Sequence, residues 1–575
     1  MGVHKILKQF YNKMKTDRPY GIFWIGLFLI PLFYLPQFRE LYIFPKWILI
    51  YVVSLWAFID AVAHDDWQFP KFSRGTKFFL GLTFVFLVFN IFFHQVLLTT
   101  HHTLDRLSFI FLTLFFFRYF QTHDDLKDIL IPLFLSTSFI LGIGYLQLFE
   151  FEALLPLNIK ISATFGNINM SAEFMGIALL FQFYSLISLS NKHKILRAWG
   201  YILSVLTLSY IYFTHCRSVT LACFGAFGFL YFFKKGIPGK KLLSIILFSI
   251  LWIGIISYLS NLNYGWVIPG SGAKYIFKES SALSRWDIIL NALNAFFHHP
   301  FGTGIGRYEF SVIPYQIFSL QQNEFFTHTS PHCEPLRILM EDGLHVFIAG
   351  ALFFFSFIRS SWLKMKQLST NTTSVYILAL VLYLILESLF QFPLEMASPF
   401  FFASMSLGYI FSKSTTPIHI TIPSKIRTIV IIGIGGCMSY LAVAQIMSRY
   451  YDFMYPASYD KSLIATKLVS NNFFAYRNLI ALDLKKRDLL AARMHIKEAL
   501  KASPYNFLIL KDLAALAYFE QNQNQECRAA FLYDQMFQQT STLHSQVSNI
   551  CSPEQIQEMS QKNSVENYQS LLENL

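Results

Sequence analysis

Along most of this chain, apolar and polar positions alternate on the length scale of a lipid bilayer. Apolar runs centre on residues 20–36, 44–62, 78–98, 104–120, 128–148, 167–189, 198–214, 218–233, 242–260, 335–357, 373–391, 398–411 and 427–447. Most approach the roughly 20 residues that carry a helix across a hydrocarbon core. The pattern therefore predicts an all-α, polytopic membrane bundle of about 12 to 13 transmembrane helices in residues 1–447. Segment 261–334 is too polar and too rich in Gly, Pro and Ser to cross, and too long for an ordinary connection between packed helices. Its Tyr264, Trp266, Tyr275, Trp286, Phe296 and Phe297 predict an ordered loop, because disordered segments are poor in aromatics. Beyond the last run the chain turns to Asn, Gln, Lys and Glu with helical periodicity, so 448–575 is predicted as a separate soluble helical domain.

Composition agrees with this reading, since only 14% of residues are charged against about a quarter in soluble globular proteins. The net charge of +12 raises the question of nucleic acid, but the placement of the charges answers it. The N-terminal tail, Lys71–Arg74–Lys77, Arg118 with Lys127, Lys192–Lys194–Arg197, Lys234–Lys235–Lys240–Lys241, Arg359–Lys364–Lys366 and Lys413–Lys425–Arg427 all fall in alternate loops. That is the positive-inside pattern, so the basicity is topological and no nucleic-acid partner is expected. The N-terminus is expected to be cytoplasmic. The turn at Arg217, the segments 149–166 and 261–334, and, after thirteen spans, the domain 448–575 are expected on the outer face. The first apolar run follows the basic segment Lys5 to Arg18 and lacks a small-residue cleavage site, so it is read as a retained span.

The stretch "LLAARMHIKEALKASPYNFLILKDLAALAYFEQ" carries Ala at helix-packing positions, a turn at Pro504 and a second amphipathic run. It resembles a tetratricopeptide unit, a helix pair repeating at about 34 residues. Such helices present concave faces, so a protein partner is expected there. The six cysteines show no CxxC pair and no zinc-ligand spacing. Cys527 and Cys551 share the terminal domain, and whether they pair depends on a geometry that spacing does not fix.

Three constellations carry candidate chemistry. In "HCEPLRILMEDGL" (332–344) the long loop enters the tenth span, which places His332 and Glu341 at a membrane boundary ahead of Gly343. A plain helix start, with Ser330 and Pro331 opening it, accounts for part of the same pattern. Arg217 in "FTHCRSVTLA" breaks the positive-inside pattern, and charges this close to the membrane mark function or a buried partner; a snorkelling side chain is the plainer alternative. In "SALSRWDIILNALNAFFHHPFGTGIGRYEF" (281–310), Arg285 and Asp287 precede a glycine-rich segment. That segment follows a helix rather than a strand and lacks dinucleotide-binding spacing, so it reads as a tight turn.

Taken in order, "TFGNINMSAEF" (164–174), "HCRS" (215–218), "SRWDIILNAL" (284–293), "HPFGTGIGRY" (299–308) and "HCEPLRILMEDG" (332–343) resemble the bacterial O-antigen ligase-like membrane protein family. That family shows a Gly-Asn-x-Asn turn, a Ser-Arg pair, a second Arg before a glycine turn, and an HNxxLxxxxExG motif. Here the Ser-Arg pair is Cys216-Arg217 and the Asn after the motif histidine is Cys333. The resemblance implies a metal-independent glycosyltransferase, without cofactor, on the periplasmic face of the bacterial inner membrane. It would move a glycan from an undecaprenyl-diphosphate-linked donor to lipid A core, a growing polysaccharide or a protein. Arg217 and Arg285 then serve the diphosphate, because guanidinium offers a permanently charged fork to phosphate oxygens. His332 acts on the acceptor hydroxyl.

Secondary candidates for substrate contact are Glu341, Asn167, Asn169, Glu173 and Lys46. Glu173 is expected to meet the Asn167–Asn169 turn, and Lys46 to anchor the outer end of the second span or touch phosphate. Asp105 and Arg106 read as a local pair, and His298, His299 and His328 as loop residues. A transporter or flippase of lipid-linked glycans is the competing reading; internal repeats and charged mid-membrane helices would favour it, whereas here the polar residues gather at one face.

Overall fold

The computed structural model describes residues 18–63, 66–93, 101–123, 126–148, 161–189, 193–233, 243–244, 247–252, 254–255, 279–315, 331–368, 372–421, 423–470, 472–503, 505–537, 547, 549–562 and 564–573. Tyr264, Trp266, Tyr275, Lys192, the basic cluster from Lys234 to Lys241 and Pro504 lie outside them.

The membrane part is a helical bundle. In chain order it comprises α1 (Arg18–Trp24, continued by Ile25–Leu29 as a π turn and by Ile30–Leu32), α2 (Phe44–Ala63), α3 (Arg74–Phe93), α4 (His101–Thr122), α5 (Lys127–Leu148), α6 (Ile168–Ser188), α7 (Lys194–Thr214) and α8 (Arg217–Phe232). The loop helices α9 (Glu279–His298) and α10 (Tyr308–Ser311) follow, then α11 (Glu334–Leu368), α12 (Thr372–Ser388), α13 (Ala397–Ser414) and α14 (Ser424–Met454). Twelve of the thirteen apolar runs are thus helices, and the run at 242–260 is helical in the fragments described. Among the described residues six helices are long and apolar enough to cross a membrane: α2, α5, α6, α7, α11 as far as Arg359, and α14. Shorter apolar helices occupy Gly21–Leu32, α8 and α12. The chain is a multi-pass membrane protein.

Aromatic packing holds the bundle together. Phe116 of α4 meets Phe23 of α1 and Phe401 of α13 at centroid separations of 5.4 and 5.2 Å, and Trp47 of α2 meets Phe400 at 4.9 Å. Between helices already surrounded by lipid such van der Waals contact replaces the hydrophobic drive available in water.

The two ends of the bundle differ in chemistry. At one end a short antiparallel ribbon, absent from the sequence expectation, joins β1 (Asp66–Pro70) to β2 (Pro417–Thr421), with Gln68 opposite His419. Beside it, Lys413 Nζ donates to the Phe120 carbonyl at 2.8 Å, Gln121 Nε2 to that of Ser412 at 3.1 Å and Arg427 Nη1 to that of Ala63 at 3.1 Å. Three of the basic loops assigned to one side of the membrane therefore meet at one end. A two-stranded ribbon is marginal by itself, and here helices anchor it at both flanks. The opposite end carries the buried ionic groups described below.

After α14 the chain forms α15 (Tyr459–Leu468), α16 (Phe473–Lys486), α17 (Leu489–Ala502), α18 (Phe507–Phe519), α19 (Gln523–Phe537), α20 (Pro553–Ser560) and α21 (Ser564–Glu573). α16 and α18 begin at 473 and 507, and their partners α17 and α19 at 489 and 523, a displacement of 34 residues in both cases. The caps repeat with the same offset. The side chains of Asn472 and Asn506 accept from Ala475 N and Leu508 N at the first helix of each pair, and Asp488 and Asn522 from Ala491 N and Gln525 N at the second. Left-handed Arg487 (φ 58°) and Gln521 (φ 57°) turn each pair. Cys527 and Cys551 form a disulfide with a Cα–Cα distance of 5.0 Å, which resolves the pairing left open by spacing. α14 runs past the expected boundary and feeds directly into this domain. Ser448 Oγ donates to the Ala465 carbonyl at 2.8 Å, and Asn478 Nδ2 to that of Asp452 at 2.9 Å.

Candidate active site

α7 ends where His215 takes left-handed backbone (φ 52°), and α8 begins at once with Cys216 as its N-cap and Arg217 as its first residue. This reversal at the bundle end leaves Arg217 exposed and turns Cys216 and Ser218 inward, with Sγ and Oγ 3.3 Å apart. Burial, with smaller contributions that include Glu387, pushes the Cys216 thiol up to about 11, so it stays a neutral hydrogen-bonding group where the family pattern has serine.

The glycine turn after α9 is fixed by α11. Thr303 N and Gly304 N donate to the carbonyls of Met340 and Glu341 at 2.9 and 3.0 Å, and Leu344 N to that of Pro300 at 2.9 Å. α11 breaks at Gly343 (φ 84°, ψ 169°), which frees the carbonyls that the turn uses. A Cβ on Gly343 would lie 2.4 Å from the Phe301 carbonyl carbon, and one on Gly302 (φ 89°) 2.5 Å from the Glu341 oxygen. Gly343→Ala is expected to cost at least about 1–3 kcal/mol from backbone conformation alone, with the clash added. A thermal-shift measurement in detergent showing unchanged stability would contradict this interlock.

At the start of α11, His332 (φ 51°) sets its ring 5.3 Å from that of Phe392, in the turn after α12. Arg337, one turn further, is the ionic hub. It pairs with Glu334, with Glu341 Oε2 at 3.2 Å and with Glu395 Oε1 at 3.0 Å. Trp47 Nε1 donates to the Glu395 carbonyl at 3.1 Å. Burial raises the Glu395 carboxyl above the usual carboxylate range, with Arg337 pulling the other way. The guanidinium fills the centre of this acidic cluster, and among the described residues no group of three His, Cys, Asp or Glu is arranged to hold a metal ion.

Glu173 of α6 and Glu387 of α12 are 1% and 0% exposed. Neither Glu387 oxygen, nor Glu173 Oε2, makes a hydrogen bond of good geometry. The two carboxyls lie within electrostatic range of each other, Glu334 adds to the field at Glu173, and Ser218 and Arg285 act on Glu387. Buried carboxyl oxygens without good hydrogen bonds are costly, so ionising either group calls for a cationic or hydroxyl partner nearby.

The expected residues therefore distribute unevenly. Arg285, on the loop helix α9, lies within electrostatic range of Glu387; Arg217 precedes Ser218 at the start of α8; and His332, at the start of α11, lies against Phe392. Glu341 belongs to the Arg337 hub. Asn167 is exposed and caps α6 by accepting from Asn169 N at 2.8 Å, while Glu173 is buried in α6 within electrostatic range of Glu387. Lys46 is enclosed, not interfacial: Nζ donates to the carbonyls of Phe33 and Thr164 at 2.6 and 2.8 Å.

Asp105 and Arg106 are not a local pair, since adjacent residues on a helix point apart. Asp105 accepts from Tyr51 Oη at 2.8 Å, and Arg106 Nη2 reaches both Asp342 oxygens at 3.0 and 2.7 Å. His298 and His299 both meet Tyr315, and His328 lies outside the described residues. Sequence reasoning passed over Glu387, although an acid inside the apolar run 373–391 was a visible signal. Glu395 and Tyr315 gave none.

Residues 202–349 match the family model described as O-antigen ligase. The matched stretch contains Arg217, Arg285, His332 and Glu341, whereas Glu173 precedes it and Glu387 and Glu395 follow it. No curated protein matches the chain. The match supports an O-antigen ligase-like family, the resemblance drawn from the motifs, and with it a glycosyltransferase-type role in O-antigen ligation or polymerisation.

Proposed function

We propose that this O-antigen ligase-like membrane protein transfers a glycan from an undecaprenyl-diphosphate donor to an acceptor hydroxyl at the periplasmic face of the inner membrane. What supports the reading is that Arg285 lies within electrostatic range of the buried Glu387, that Arg217 opens α8 beside Ser218, and that His332 opens α11 against Phe392, at the end of the bundle opposite the basic loops. Arg217 and Arg285 hold the diphosphate. The acceptor oxygen attacks the anomeric carbon while the bond from that carbon to the phosphate oxygen breaks. The electron pair leaves with the lipid diphosphate, and the hydroxyl proton passes to His332. The two guanidinium groups meet a charge that grows along this path, which lowers the barrier rather than tightening ground-state binding alone.

The disulfide Cys527–Cys551 supports an oxidising compartment for the terminal domain. Its paired helices, recurring every 34 residues, support a tetratricopeptide-like unit and favour a protein among the acceptor classes. The glycan profile of a deletion strain tests the function. Unglycosylated protein assigns protein transfer, loss of long lipopolysaccharide assigns ligation, and shortened chains assign polymerisation; an unchanged profile rejects the proposal. Phosphatase fused after residue 455 should be active, and an inactive fusion there would reverse the orientation.

A further inference from the structure

The segment between the glycine turn and the motif helix does not lie free over the membrane domain. Ile313 is 2% exposed and belongs to the apolar core of the terminal domain, among Ile480, Ile496, Leu500 and Ile509. Two residues on, Tyr315 grips the C-terminal end of α9 in three ways. Its ring stacks on His298 at a centroid distance of 4.5 Å, its hydroxyl bonds His299 Nε2 at 2.9 Å, and its carbonyl accepts from Asn294 Nδ2 at 2.9 Å. On another side α9 packs its Ala292 and Ala295 against Leu336 and Met340 of α11. α9 is thus fixed between the motif helix and the terminal domain, and Arg285 is carried on it. The domain is itself tied down elsewhere: Arg39, between α1 and α2, lies 3.9 Å over the Phe474 ring of α16.

We infer that Ile313 and Tyr315 are positioning residues through which the C-terminal domain sets Arg285 in the transfer site. A helix is a stiff rod, so the grip at 294–299 fixes the direction of α9, and Arg285, nine residues before Asn294, follows it. A guanidinium that binds phosphate through a planar fork depends on direction as well as distance. The inference rests on the reading of Arg285 as a diphosphate ligand. It makes the terminal domain part of the transfer machinery as well as a recruiting surface.

The test uses the full chain, an undecaprenyl-diphosphate-linked glycan as donor, and its cognate acceptor. Tyr315→Ala is expected to raise the donor KM about tenfold or more and leave the acceptor KM within twofold, and Tyr315→Phe, which keeps the ring stack, to recover most of the loss. Ile313→Ala should move the donor KM in the same direction and Ile313→Val much less. In an Arg285→Ala background Tyr315→Ala should add nothing to the donor defect, because both act through one group. Equal losses for donor and acceptor, or full additivity with Arg285→Ala, would reduce Tyr315 to a fold-stabilising role and overturn the inference. Normal donor binding in Arg285→Ala alone would instead remove the diphosphate reading on which it rests. A weak Arg285→Ala beside an unaffected Tyr315→Ala would remove only the inference.

Discussion

Arg285→Ala and Arg217→Ala are each expected to lower glycan transfer by about 100- to 1,000-fold, the usual cost of losing one preorganised donor to a developing negative charge. Both variants should still insert in the membrane and melt near the temperature of the unsubstituted protein. Arg217 is exposed at the first turn of α8, and Arg285 sits on a loop helix, so neither holds the aromatic core together. The two substitutions should differ in one respect. Arg285 lies within electrostatic range of the buried Glu387 carboxyl, so its loss also removes a favourable charge from that group's surroundings. Arg285→Ala should therefore be the less stable of the two. Lysine at either position is expected to restore only part of the activity, because an ammonium cannot reproduce the bidentate fork. Transfer and donor binding measured in one preparation check this, and near-normal transfer in either alanine variant would exclude that arginine from the mechanism.

The membrane architecture was legible because its cause is local. A run of about 20 apolar residues has one cheap conformation in lipid, since every backbone group must be satisfied within the segment. Even the ends of α2, α5 and α6 lie within a residue or two of the apolar limits. What could not be read depends on partners distant in sequence. The ribbon at Asp66–Pro70 exists only because Pro417–Thr421 lies beside it. Arg106 finds Asp342 rather than Asp105, 236 residues rather than one residue away. The same separation hid Glu395, brought to Arg337 by the turn between α12 and α13, and Tyr315, whose significance lies in the terminal domain behind it. The candidate motif residues and Glu173 were in view in the sequence, whereas the approach of Glu387 to Glu173 across two helices was not.

That pair sharpens the expectation for His332. If the imidazole takes the acceptor proton, His332→Ala should lower transfer by about 100- to 10,000-fold, the range over which a positioned general base acts, while donor binding stays near normal. The surroundings supply a rival. Glu173 and Glu387 are buried within electrostatic range of each other, and two such carboxyls cannot both ionise cheaply. Either carboxyl, once ionised, is a proton acceptor in the same neighbourhood. The isosteric Glu387→Gln separates the two readings. With histidine as the base, Glu387→Gln keeps most of the transfer rate and His332→Ala loses it. With the carboxyl pair as the base the order reverses, and Glu387→Gln should lower transfer even where donor binding is saturated. Single-turnover rates at saturating donor decide between them, and a His332→Ala rate within threefold of the unsubstituted protein would take histidine out of the proton path.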